Sequence, residues 1–171
     1  MAQIIMIEGI DRVGKTTLIK LLEKKYGFVS FKDKSYFDFN VHSYITNVEK
    51  VVTFLEMVKQ LDLTIVCDRC FLSEVVYSFV ERKRDDAFIF YDTMCKYIKD
   101  MIKNDGLKVL LVYVKPVDIY YSALLHGKLQ EKHDKMYEKI YKAIEFDKKE
   151  CNYNNLNEIA AEIKGWSEMR E

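Results

Sequence analysis

The stretch Gly9-Ile10-Asp11-Arg12-Val13-Gly14-Lys15-Thr16 constrains this chain more than any other feature. It fits GxxxxGK[ST], and its flanks supply the context that gives the pattern a mechanism. Upstream, Gln3 to Ile7 is a short apolar run that predicts a buried strand. Downstream, Thr16 to Tyr26 places Leu18, Leu21 and Leu22 on one side of a helix, with Gly27 suited to its C-terminal cap. Strand, glycine-bearing turn and helix N-terminus together make an anion cradle, because backbone amides and the helix dipole converge on one place. The residues expected to bind the phosphates of ATP are Gly9, Ile10, Asp11, Arg12, Val13, Gly14, Lys15, Thr16 and Thr17. Lys15 bridges the terminal phosphates as a point charge, and the Thr16 hydroxyl ligates Mg2+. At an average Gly usage of ~7%, chance produces this pattern in under about one chain in a hundred of this size. The alternative is a glycine-rich turn in some other α/β protein.

Beyond the loop, short β-branched runs alternate with helical patterns. Strands are predicted at Phe28 to Phe31, Leu63 to Cys67 and Lys108 to Val114, with a short one near Cys151 to Tyr153. Helices are predicted over Val41 to Gln60, Phe71 to Val80, Asp85 to Asn104, Pro116 to Leu125, Asp134 to Lys149 and Leu156 to Trp166. Such alternation predicts an α/β three-layer sandwich, a parallel sheet of about five strands covered by helices on both faces. No linker or repeat divides residues 1–171, which are expected to form a single domain.

The formal net charge is zero, from 27 Lys plus Arg against 27 Asp plus Glu. Stable nucleic-acid binding is not expected of such a chain, since affinity for a phosphate backbone comes from clustered Lys and Arg. No run approaches the ~20 apolar residues of a membrane span and no export signal opens the chain, so a cytoplasmic protein without membrane association is expected. Its four cysteines are then free thiols. Cys67 and Cys70 have CxxC spacing, but Cys95 and Cys151 provide no second close pair for zinc.

The interior of the loop, in Glu8-Gly-Ile-Asp-Arg-Val-Gly-Lys-Thr-Thr17, resembles the thymidylate kinase family of P-loop nucleoside monophosphate kinases. The resemblance implies the P-loop NTPase sheet order 2-3-1-4-5 and a homodimer. The eukaryotic-type branch places an arginine after the loop aspartate, where it meets the transferred phosphoryl group, and Arg12 stands at that position. Members of that branch need no catalytic arginine in the lid over ATP, and none occurs between Lys115 and Glu150. The physical demand is one cation at the equatorial oxygens during transfer. By the same resemblance Asp11 accepts a hydrogen bond from the acceptor's 3'-hydroxyl. The lid is expected around residues 126–134, as a mobile charged segment between two helices.

Asp68-Arg69, at the carboxyl end of a predicted central strand, with Ser73 and Tyr77 after it, also resembles the family, and the resemblance implies that Ser73 and Tyr77 contact the acceptor. Asp68 is placed to hold Mg2+ through water or to orient the attacking oxygen, and Arg69 to clamp the acceptor phosphate bidentately. A helix cap and a surface ion pair are the bland readings of these two residues. Where the family has Phe-Pro-x-Arg, this chain has Phe31-Lys32-Asp33-Lys34, so Lys34 supplies charge without the fork. Counting back from Asp68 puts Tyr44 at the base-stacking aromatic and Asn47 at the base-contacting asparagine, while Val48 replaces an arginine. For Tyr44 and Tyr77, core packing is an equal alternative. The segment between Lys34 and Tyr44 is shorter than in the family, which trims the acceptor pocket.

The sequence therefore predicts ATP-dependent phosphorylation of a deoxynucleoside monophosphate, dTMP or a related nucleotide, with Arg12, Lys15 and Asp68 as catalytic residues. A deoxynucleoside or a nucleotide within DNA is the alternative acceptor. A nucleotide-binding regulator without kinase chemistry is a third reading; it lacks here the Asn-Lys-x-Asp and Asp-x-x-Gly motifs of GTP-binding switches.

Overall fold

Every residue of strand β1 (Gln3–Glu8) and six of the seven in β4 (Lys108–Val114) are buried. Successive side chains of a strand point to opposite faces, so these two strands must be covered on both sides. The computed structural model, which describes residues 1–32, 44–117 and 127–169, shows how. Strand β2 (Val29–Phe31), β3 (Thr64–Asp68) and β5 (Asp147–Cys151) complete a five-stranded sheet in the order β2-β3-β1-β4-β5. All four pairings are parallel, with Ile5 opposite Val66 on one side and opposite Leu110 on the other. The expected fold class and strand order are those observed.

Helix α1 (Lys15–Tyr26) ends on Gly27, whose φ of 73° is the left-handed cap that glycine favours. It packs on α6 (Leu156–Glu168). Helices α2 (Tyr44–Gln60), α3 (Phe71–Val80), α4 (Asp86–Asp105) and α5 (Gly127–Ala143) form a second group, with α4 against α2 and α3, and α5 against α3. The core between these layers includes Ile5, Ile7, Leu18, Val66, Phe71, Phe90 and Val112, all at most 1% exposed. Each such side chain contributes about 1.5–3 kcal/mol by leaving water.

Two expectations near the C-terminus need correcting. Residues 127–134, expected as an irregular lid, form the opening turns of α5, which starts seven residues before the predicted Asp134. His133 within them is 1% exposed and the Tyr113 hydroxyl donates to the Asp134 carboxylate, so the end of this stretch is anchored to the core while residues 127–132 are exposed or half-buried. The same helix stops at Ala143, and residues 147–149, expected as its last turn, belong to the edge strand β5, which begins four residues before the short strand expected near Cys151 to Tyr153. An edge strand reading Asp-Lys-Lys-Glu-Cys has no apolar alternation, because charge on an edge discourages pairing with other chains. The helix predicted from Pro116 to Leu125 and residues 41–43 of the predicted second helix fall, from residue 118 and up to residue 43 respectively, outside the described residues.

Candidate active site

The chain leaves the carboxyl end of β1 through the glycine turn and enters α1, and it leaves β3 through Asp68-Arg69 and enters α3. Open parallel sheets bind ligands at such carboxyl ends. Gly9 has φ 138°, and a Cβ there would lie 2.4 Å from the carbonyl oxygen of Val114, so only glycine lets the turn pass this close to β4. Gly14, at φ 108°, caps α1 with no side-chain hydrogen bond, which leaves the first amides of the helix to an external anion.

A cavity of about 220 Å³ opens between the two turns, lined by Asp11, Arg12, Gly14, Lys15, Thr16, Thr17, Asp68, Arg69 and Tyr153. Three cations from two separate motifs thus face one hollow on a chain of zero net charge. Lys15 is 7% exposed and its ammonium donates to the carbonyl of Ile10. Burial, with Arg69 adding to it, pushes its pKa down to about 8. A bound phosphate would reverse that shift by favouring the charged form. Arg12 is exposed at φ 64°, a left-handed conformation that costs a non-glycine residue roughly 1–2 kcal/mol. A hydroxyl from Thr16 and a half-buried carboxylate from Asp68 border the same space, a hard oxygen donor set that fits Mg2+.

Arg69 also lies in the left-handed region, at φ 68°. Its Nη2 donates to Asp11 Oδ1 and its Nη1 to the Tyr77 hydroxyl at 2.9 Å. The Tyr77 ring stands 4.6 Å from that of His133 on α5, and His133 Nε2 is 3.1 Å from Glu81 Oε1, out of line for a hydrogen bond. Burial lowers the pKa of His133. Beneath these residues lies Glu8, 1% exposed, whose Oε1 accepts the Cys70 N–H at 2.7 Å and whose Oε2 accepts the Ser73 hydroxyl. Tyr137 of α5 donates to Ser73 Oγ at 2.8 Å. Burial raises Glu8 to a pKa of about 7, against the opposing effect of those hydrogen bonds and of Arg69 and Lys15.

The sequence-predicted residues divide accordingly. Asp11, Arg12, Lys15, Thr16, Asp68 and Arg69 share the cavity, and Tyr77 reaches it through Arg69. Ser73, expected to contact the acceptor, is 6% exposed and turned inward to Glu8. Asn47 is wholly buried in α2 and does not line the cavity. Tyr44 opens α2, and Lys34 lies outside the described residues. Sequence reasoning gave no role to Glu8, His133, Tyr137 or Tyr153. Tyr153 follows β5, and its ring sits where a Cβ on Gly14 would meet it at 3.0 Å. A hollow of about 240 Å³ between Met1, Leu107 and Phe146, at the opposite end of the strands, offers no comparable site. Its Lys108 is already held by the carbonyls of Trp166 and Met169.

No family model matches the chain, and no curated protein matches it. Among solved structures it is similar to the YorR protein of Bacillus subtilis in complex with phosphorylated GDP. That likeness has 20% identity and a TM-score of 0.72, over 96% of this chain and 95% of that one. It is also similar to thymidylate kinase from Ehrlichia chaffeensis, with 16% identity and a TM-score of 0.60 over 94% and 99% of the two chains. Deoxyadenosine kinase from M. mycoides with bound dATP gives 18% identity and a TM-score of 0.59 over 95% and 99%. At these identities the likeness establishes the architecture, and the chain has the α/β fold of P-loop NTPases.

Proposed function

We propose that the chain is a kinase that transfers the γ-phosphoryl group of ATP to a deoxynucleoside monophosphate, dTMP or a related nucleotide. The observation that supports this best is the meeting of two anion-binding turns across one cavity, Arg12 and Lys15 on the donor side and Arg69 on the acceptor side. A second guanidinium facing the phosphate loop suits an acceptor that itself carries a phosphate, since Arg pairs two phosphate oxygens at once. The thymidylate kinase likeness supports the same acceptor class, and the YorR complex with phosphorylated GDP leaves the base open.

In this reading the amides at the start of α1 and Lys15 bind the β- and γ-phosphates, and Tyr153 flanks the donor nucleotide. Arg12 meets the equatorial oxygens of the transferring group, where charge must be stabilised. Asp11 takes the acceptor's 3'-hydroxyl and Arg69 its phosphate, so the ion pair between them parts as the acceptor enters. Lys34, Tyr44 and Asn47 remain proposed acceptor contacts. Thr16 and Asp68 would hold Mg2+, which neutralises phosphate charge when bound. Most of the catalysis is then positioning and electrostatics. The test is ADP release by the purified protein with Mg-ATP and a panel of deoxynucleoside monophosphates, deoxynucleosides and oligonucleotides. Turnover of a monophosphate is expected; turnover of a nucleoside or an oligonucleotide alone would overturn the reading.

A further inference from the structure

Glu8 lies outside the cavity yet is the residue immediately before the first glycine of the phosphate loop. A buried carboxylate is expensive unless its lone pairs are used. Both of its oxygens are, and both hold the same turn: one takes the N–H of Cys70, the N-cap of α3, and the other takes the hydroxyl of Ser73 within the first turn. The N–H of Arg69 donates to the Ile7 carbonyl at 3.1 Å. The last two residues of β1 therefore pin the β3–α3 turn at three points, and α3 has no capping side chain of its own. Pinned between Ile7 and Glu8 is the one residue of the turn in the left-handed region, Arg69, with its guanidinium at Asp11 and Tyr77.

We propose that Glu8 is a positioning residue that fixes the acceptor clamp, holding the Asp68-Arg69 turn on the strand that carries the phosphate loop, so that donor and acceptor sites keep a set distance. This rests on the role given to Arg69 above. The hydrogen-bond polarity explains why an ionised acid suits the position. Tyr137 donates to Ser73, so Ser73 must donate onward, and the Cys70 amide can only donate; the group between them has to accept twice. Glutamine has one accepting oxygen and would turn an NH2 toward one of the two donors. The titratable groups around Glu8 are Lys15 from α1, Arg69 and Cys70 from the turn, and Tyr137 from α5.

The test compares wild type, Glu8→Gln, Arg69→Ala and the double variant with Mg-ATP and the best monophosphate of the panel. Glu8→Gln should raise the acceptor KM by about 10- to 100-fold, the scale of a lost hydrogen bond to a charged group, and leave the KM for Mg-ATP within about 2-fold. In the Arg69→Ala background it should change the acceptor KM by less than about 3-fold, because the two residues act through one another. Equal rises in both KM values, or full additivity, would overturn the proposal. Should Glu8→Gln not fold, Ser73→Ala, which removes one of the two bonds, must show the same split. A readout without acceptor separates this proposal from the reading beneath it: the Arg69 Nε–Hε resonance of the ligand-free protein. It should be sharp in wild type and shifted or broadened in Glu8→Gln or Ser73→Ala, and an unchanged resonance would refute the positioning role whether or not any monophosphate is turned over.

Discussion

The two halves of the site are built in opposite ways. The donor half is a single run, Gly9 to Thr17, whose shape comes from its own backbone: two positive-φ glycines, a close pass by Val114 and a helix start. The acceptor half is gathered from Asp11, Arg69, Tyr77 and, behind them, Glu8, Ser73 and Tyr137, joined, apart from the local Arg69–Tyr77 bond, by bonds that bridge 58 to 65 residues of sequence. A half made by backbone should fail locally and severely when its backbone is disturbed. One assembled from side chains should weaken in steps, with each lost bond felt in acceptor binding.

The largest expected effect lies in the donor half. Arg12→Ala should lower kcat by about 10² to 10⁴ fold, the range for removing an electrostatic stabiliser of the transition state. Because Arg12 is exposed, its Tm should stay within about 2 °C of wild type. Steady-state kinetics beside a thermal melt decides this, and a near-normal kcat would mean that another cation meets the transferred group. Gly9→Ala follows. Its Cβ cannot stand 2.4 Å from the Val114 oxygen, so a loss of roughly 3 kcal/mol is expected, read as a Tm lower by about 10 °C. A stable, active Gly9→Ala protein would show that the donor half is less rigid than described.

Next comes a pH effect peculiar to the buried acid. Glu8 is held at about 7 by burial, above its ordinary value of 4.5. Between those values the folded chain binds a proton that the unfolded chain has released, so stability falls as pH rises through that window and the full penalty stands above it. The window should be worth at most about 3 kcal/mol. Urea unfolding at several pH values reads it, and Glu8→Gln should flatten the profile between pH 4.5 and 7. The smallest effect belongs to the acceptor half. Tyr77→Phe removes the hydroxyl that Arg69 donates to, and should raise the acceptor KM by about 5-fold with kcat nearly unchanged, as for a single hydrogen bond of about 1 kcal/mol. A fall in kcat with no change in KM would move Tyr77 out of acceptor binding.

The same contrast explains what could be read in advance. The phosphate loop and the limits of α3 and β4 were legible because each rests on a contiguous pattern of glycine, apolar period or motif, whereas the sheet order came only through the family resemblance that the loop carries. Strand β5 was placed too late, near Cys151 to Tyr153, since Asp-Lys-Lys-Glu ahead of Cys151 looks like the end of a charged helix. The start of α5 was hidden by Gly127-Lys-Leu-Gln-Glu-Lys, a polar stretch that packs mainly through residues from His133 onward. Within the site, Asp68 and Arg69 were visible from the end of a strand, but the inward turn of Ser73 was not. Its partners Glu8 and Tyr137 lie 65 residues before it and 64 after it, and no local pattern links them. Glu8 had one faint signal, an acid directly after the apolar run Ile4 to Ile7, which a buried carboxylate with a task would leave.

The central claim, transfer between two phosphate-bearing nucleotides across this cavity, is tested most directly by following the transferred phosphorus. With γ-labelled ATP, Mg2+ and dTMP or a related deoxynucleoside monophosphate in a single turnover, the label should appear in the deoxynucleoside diphosphate, and Arg69→Ala should slow its appearance at low acceptor concentration. Label recovered only as inorganic phosphate, or left entirely in ATP, would contradict it.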